Sequence, residues 1–265
     1  MTANFTLRDE IRDYWSARAA TFDEQVGHEI FSEEEREAWR DLFRRHLGPG
    51  EDRRALDLAS GTGVISHLLH GLGFDVTGLD WSESMLRQAR AKAARRGADI
   101  RFVMGDAEHT LEQPESYDVL VTRHLVWTLV DPKAAFREWH SLLKPGGRLL
   151  IVDGDFVSDT FVKRMIRVIE RLLPGSSGVP HAPNAMRETH ERILERVYFS
   201  KGARAEAVMA LLREAGFAEV AVDRNLKAIH RQQARNLPLL KGLERATQHR
   251  YAVVAVKASA GKAMA

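Results

Sequence analysis

Leu56-Asp57-Leu58-Ala59-Ser60-Gly61-Thr62-Gly63 is the stretch on which the fold turns. Residues 55–59 read as a short buried strand that runs into a turn of small residues, and residues 64–72 then read as a helix. Small side chains in such a turn let the backbone pass close to a bound ligand, where larger ones would collide. The glycines are spaced G-x-G, with Ala59 two residues before the first. They do not form the G-x-G-x-x-G of dinucleotide binders.

Working outward, the chain alternates short apolar strands with amphipathic helices. Residues 74–80 form a second strand, followed by a helix that Ser82 caps and that runs to about Arg96. Residues 99–106 and 117–122 are the third and fourth strands. Asp131-Pro132 opens the next helix with Pro at its first position, and Lys144-Pro145-Gly146-Gly147 ends it before a fifth strand at 148–155. This βαβ alternation predicts a parallel sheet with right-handed crossovers and helices on both faces. Ligands then bind outside the carboxyl ends of the strands, where strand order reverses. Near the end a helix at 203–215, closed by Gly216, precedes strands at 218–223 and 251–257. Before the first strand, helical spacing covers residues 7–20. Ser32 and Glu35 form a capping box for a second helix through Trp39 and Phe43. The expected division is an N-terminal helical lid at 1–45, a core at 46–157 and 200–257, a helical insertion at 158–199 and a flexible tail at 258–265. Within these, 174–185 reads as a mobile loop, and 224–250 is long enough to carry its own helix.

Composition narrows the function. The chain has 265 residues and no cysteine, which excludes disulfides, thiolate metal sites and thiol nucleophiles. The charged opening residues resemble no secretory signal, and no apolar stretch approaches the roughly 20 residues of a bilayer span, so a cytoplasmic enzyme off the membrane is expected. A net charge of +2 gives little support for nucleic acid. That charge is unevenly spread: residues 158–250 hold 17 basic against 10 acidic residues, and the remainder is net negative. The surplus reads either as solvated helix faces (Lys163, Arg164, Arg167, Arg171) or as an acceptor site for an anion.

Two further signals carry chemistry. Asp80, at the end of the second strand, is placed to accept hydrogen bonds from ribose hydroxyls. Gly105-Asp106-Ala107, after the third, adds a carboxylate that can accept from an exocyclic amine. Together with LDLASGTG, DWSESML (80–86), GDAE (105–108) and LKPGGRLLIVD (143–153), these residues resemble the class I S-adenosylmethionine-dependent methyltransferases of the small-molecule group. The resemblance covers residues 39–155. It implies a Rossmann-like, doubly wound, mostly parallel seven-stranded α/β sheet with an antiparallel last strand and helical lid insertions. It also implies S-adenosyl-L-methionine as cofactor, S-adenosyl-L-homocysteine as product, and methyl transfer to an O or N atom of a small molecule, an anionic one on the second reading of the charge.

Carried over residue by residue, Asp57 would sit near the ligand's amino group, and Ala59, Ser60, Gly61 and Gly63 along its methionine portion. Asp80 would take the ribose hydroxyls, Trp81 would face the adenine, and Asp106 with the Ala107 amide would read its polar edge. The family usually has Gly where this chain has Ala59, which is expected to keep a negative φ. After the fourth strand, Arg123 would pair with the ligand or a substrate carboxylate, and His124 would position the ligand or act as a base. No Asn/Asp-Pro-Pro-aromatic tetrapeptide follows, against methylation of exocyclic amines on nucleic-acid bases. Asp153 is a second candidate base, and of Asp153 and Asp155 at most one is expected to face the cleft. Tyr14 on the lid helix would close over the ligand, with Trp15 and Phe22 as packing. His181, His190, His230 and His249 lack ligand spacing, so no metal is expected. Two other readings stay open: a nicotinamide-dependent, NAD(P)-linked oxidoreductase on a similar sheet, and a catalytically inactive binding protein with this fold. Oligomeric state, monomer or homodimer, is open too.

Overall fold

Strand order places the site. The computed structural model describes residues 5–158, 161–172 and 184–259. Seven strands, β1 (Arg54–Leu58), β2 (Asp75–Asp80), β3 (Arg101–Met104), β4 (Tyr117–Arg123), β5 (Leu143–Asp155), β6 (Glu219–Asp223) and β7 (His249–Val256), form one sheet ordered β3-β2-β1-β4-β5-β7-β6. The first five pair in parallel, and β7 runs antiparallel to both β5 and β6. Chain direction along the sheet reverses between β1 and β4, so a crevice opens over their carboxyl ends.

Ten helices among the described residues cover the sheet and its edge: α1 (Leu7–Arg18), α2 (Glu33–Leu47), α3 (Val64–His70), α4 (Glu83–Arg96), α5 (Pro132–Leu142), α6 (Phe161–Leu172), α7 (Asn184–Arg196), α8 (Ala205–Glu214), α9 (Lys227–Arg235) and α10 (Leu239–Thr247). On one face, Phe136 and Trp139 of α5 and Val208 and Leu212 of α8 pack on Leu56, Leu120, Ile151 and Val253. On the other, Trp39 and Phe43 of α2 and Leu68 of α3 pack on Ala55, Val119, Val121 and Leu150. Alternate residues of β1 and β4 thus point into two apolar layers, which is why these strands read as continuous apolar runs.

Several expectations need correcting. The helix α2 was expected in the lid, but its Trp39, Leu42 and Phe43 are buried in the core, so the covering segment ends before Ser32. Only half of the capping box forms. Ser32 Oγ accepts from the Glu35 N–H (3.1 Å), while buried Glu35 takes a hydrogen bond from Gln233 Nε2 (2.8 Å) on α9. The segment 224–250 carries two helices. The expected loop at 174–185 lies almost wholly outside the described residues, as does most of the tail from 258.

The lid proper is α1, capped by Thr6, which packs Ile11 and Tyr14 against Ile193 and Val197 around α7. Glu10 latches the two helices: its carboxylate accepts from Arg192 Nε and Arg196 Nη1, both at 2.6 Å. The arginines are half exposed, so the two ion pairs together contribute about 1 kcal/mol. Glu10→Ala is therefore expected to speed amide exchange in α1 and α7 about fivefold while leaving exchange in the sheet unchanged.

Candidate active site

The crevice encloses about 940 Å³, including its open mouth. One wall is acidic. Asp57 is buried at the middle of the sheet, where its Oδ2 accepts from Ser66 Oγ (2.6 Å), and burial pushes its carboxyl up to about 7. Asp80 accepts from the Gly61 N–H on Oδ2 and from the Ser82 N–H on Oδ1, each at 2.8 Å. Burial pushes it up to about 6, against the pull of those two amides. Asp106 and Glu108 complete the wall, and Arg8 of α1 bonds both carboxylates.

The turn between β1 and α3 is tied to β2 by the Gly61–Asp80 bond and by the Ser60 N–H donating to Leu79 O (2.9 Å). This geometry puts Ala59 at φ +56°, Gly61 at +55° and Gly63 at +82°. The expected negative φ for Ala59 is wrong: the tie to β2 holds an alanine in the left-handed region that glycine occupies without cost. Gly63 stands outside the crevice, where a Cβ would come within 2.9 Å of the Phe102 ring.

The opposite wall is basic and aromatic. Arg123 Nη2 donates to His28 O (2.6 Å), and its guanidinium lies 5.5 Å from the Trp39 ring centroid. His124, at φ +60°, has its Nε2 2.9 Å from Arg250 Nη1. A guanidinium can only donate, so this nitrogen is the acceptor, its lone pair is engaged, and the ring proton sits on Nδ1. Burial and the neighbouring arginines hold both His124 and His28 neutral, the latter down to about 3. The loop carrying Phe22 and His28 is anchored by buried Lys92, which bridges Asp23 (2.8 Å) and Glu29 (2.5 Å).

Asp57, Ala59, Ser60, Gly61, Asp80, Trp81, Asp106, Ala107, Arg123 and His124 all line the crevice. Tyr14 does not: its ring packs in the lid and its hydroxyl accepts from Arg18 (2.6 Å). Trp15 and Phe22, expected as packing, line the crevice in its place. Tyr14 and Trp15 are adjacent, about 100° apart around the helix, and spacing alone gave no way to choose the inward face. Asp153 is also turned away, accepting from the Val126 and Gly154 N–H groups at 2.8 Å and so holding the turn after β4. Asp155 accepts from Ser158. Neither acid faces the cleft. Among the described residues no group of three or more His, Asp or Glu could hold a metal.

Residues 56–151 match a family described as a methyltransferase domain. The demethylmenaquinone methyltransferase of Clavibacter sepedonicus is 30% identical over 195 residues, 72% of this chain and 75% of that protein. The chain belongs to the class I S-adenosylmethionine-dependent methyltransferases. The ubiquinone/menaquinone biosynthesis C-methyltransferase of Rhodopseudomonas palustris is 28% identical over 226 residues, covering 79% of this methyltransferase and 84% of the relative. The fold matches a Haemonchus contortus phosphoethanolamine N-methyltransferase solved with S-adenosylhomocysteine. That likeness has a TM-score of 0.67 at 17% identity and covers 96% of this chain and 60% of the other. The nicotinamide reading falls away, and so does that of an inactive binding protein. S-Adenosylmethionine is the cofactor, and the crevice suits it. Its sulfonium and ammonium would meet an acidic wall, and Ser60 Oγ, buried and without a protein partner, faces the same space. Because Ala59 is held left-handed, Ala59→Gly is expected to stabilise this methyltransferase by about 0.5–1 kcal/mol in denaturant titration.

Proposed function

We propose that this methyltransferase acts in the cytoplasm on a small anionic acceptor, methylating an O or N atom, with a ring carbon added by the quinone relatives. The observation that carries the reading is the polarity of the crevice: carboxylates on one side, cationic and neutral imidazole groups on the other. A cationic cofactor and an anionic acceptor would be drawn to opposite walls and so to each other. The cytoplasmic setting is our reading of charged opening residues that resemble no secretory signal. Among the described residues no helix is long and apolar enough to cross a membrane.

Bound, the cofactor supplies an already activated methyl group, so the protein's work is alignment and exclusion of water. In our assignment Asp80 takes the ribose hydroxyls, Trp81 covers the adenine, Asp106 with the Ala107 amide reads its edge, and Asp57 faces the amino group across the small-residue turn of Ala59, Ser60 and Gly61. Trp15 and Phe22 close the near side, where aromatic faces attract a sulfonium. His124 positions the acceptor, since its Nε2 is already engaged by Arg250.

Calorimetry should show S-adenosylhomocysteine binding in the micromolar range, abolished in Asp80→Ala. No binding to the wild-type protein at millimolar ligand would overturn the assignment of the crevice. Ribose hydroxyls donate to the ionised carboxylate, so the ligand favours the deprotonated form of Asp80. Affinity should therefore be flat above about pH 6 and fall below it by up to about tenfold per pH unit. Asp80→Asn should remove that slope. His124→Ala is expected to lower single-turnover rate more than ligand affinity, and equal losses in both would refute a role confined to the acceptor.

A further inference from the structure

Three arginines converge behind the basic wall, and none pairs with a carboxylate among the described residues. Arg123 donates to His28 O. Arg245, on α10, donates to Val26 O (3.2 Å) and Gln248 Oε1 (3.3 Å). Arg250, at the start of β7, donates to the same Gln248 oxygen (3.0 Å) and meets His124. Every partner is neutral. Arg245 is only 8% exposed. Two N–H groups, Arg123 Nη1 and Arg245 Nε, are buried with no acceptor at all. Burial pulls down the proton affinity of all three, and the neighbouring arginines add to it at Arg245, which falls to about 10, and at Arg250. Gathering like charges out of water, with carboxylates acting on them only at a distance and none in ion-pair contact, is costly enough that folds which do so ordinarily use them.

In front of them six rings close a circuit. Trp15 meets Phe22 (6.1 Å between centroids), Phe22 stacks on His28 (4.2 Å), and His28 meets His124 (6.2 Å). His124 meets Phe156 (5.6 Å), Phe156 meets Trp127 (6.3 Å), and Trp127 returns to Trp15 (6.2 Å). Four of the six line the crevice, as does Arg123. The Arg250 guanidinium lies 5.2 Å from the Phe156 centroid, so charge and ring wall are one assembly.

We propose that this assembly is a subsite for a planar aromatic acceptor bearing an anionic oxygen, with Arg123 receiving the oxygen and Arg245 and Arg250 supplying the field. Flat rings favour a flat partner through offset and edge contacts, and an orphaned guanidinium N–H favours a charged oxygen through a short, charge-assisted bond. The inference rests on the methyltransferase reading and narrows its acceptor. The shared chemistry is a ring-borne oxyanion, either a carboxylate or an ionised phenol.

The test is calorimetry on the full chain saturated with S-adenosylhomocysteine. Benzoate is compared with neutral benzamide, and 4-nitrophenolate with neutral 4-nitroanisole. At least one anion should bind about tenfold or more tightly than its neutral partner, the difference a desolvated charge-assisted contact supports; the pair that discriminates identifies carboxylate or phenolate. Arg123→Gln and Arg250→Gln should both shrink that ratio, and Arg250→Gln, which lies behind the crevice, should move S-adenosylhomocysteine affinity less than about twofold. Equal binding of anion and neutral in both pairs overturns the subsite, as does no binding of either anion. The wild-type comparison decides the matter even if a variant fails to fold. Failure of S-adenosylhomocysteine itself to bind would sink the methyltransferase assignment instead.

Discussion

The carboxylate of Asp80 is the joint on which the site hangs. One oxygen holds the Gly61 amide at the end of β1, and the other holds the Ser82 amide that starts α4. A single side chain therefore sets the distance between the first two strand ends, the path of the small-residue turn and the start of the next helix. The left-handed conformation of Ala59 is the cost of that tie, about 1 kcal/mol for a residue with a Cβ. Without the tie the turn would be held to β2 by the Ser60 amide on Leu79 O alone, and Gly61 would lose its anchor.

How far the sequence was readable follows from the range of the forces involved. The strand–helix alternation, the turn at 56–63 and the acids at 80 and 106 are local patterns, and the sheet order follows from them by chain connectivity. The inward face of α1 is not local: Tyr14 and Trp15 are neighbours, and the choice between them is made by α7, more than 170 residues away. Arg245 and Arg250 were indistinguishable from solvated charge, since only the fold brings α10 and β7 behind β4. Arg250, entering the apolar run of the last strand, was the one signal that could have raised the question. Glu35 shows the same limit. Its spacing from Ser32 describes a capping box, yet its side chain is taken by Gln233 from a helix that local reasoning could not place.

The crevice also shows how a nearly neutral chain can hold two opposed fields. Carboxylates from β1, β2 and the turn after β3 occupy one wall, and Arg123 of β4 lies in the other, with arginines of α10 and β7 behind it. The basic surplus of residues 158–250 is thus partly internal: two of the three arginines behind the wall come from this segment, while Arg164 and Arg171 are exposed on α6. Buried acids pushed up towards neutrality and imidazoles held neutral are the two signatures of the same lack of water.

The Glu10 latch has a consequence for exchange with the surroundings. The lid is fastened to α7 by half-exposed ion pairs and a small apolar contact, whereas the sheet is held by two extensive apolar layers. Ion pairs at a surface are screened over about 8 Å at physiological ionic strength, and apolar burial is not. Dissolved salt therefore acts on the doorway and leaves the frame alone, so the molecule can exchange small solutes through a cover that loosens without any melting of its core.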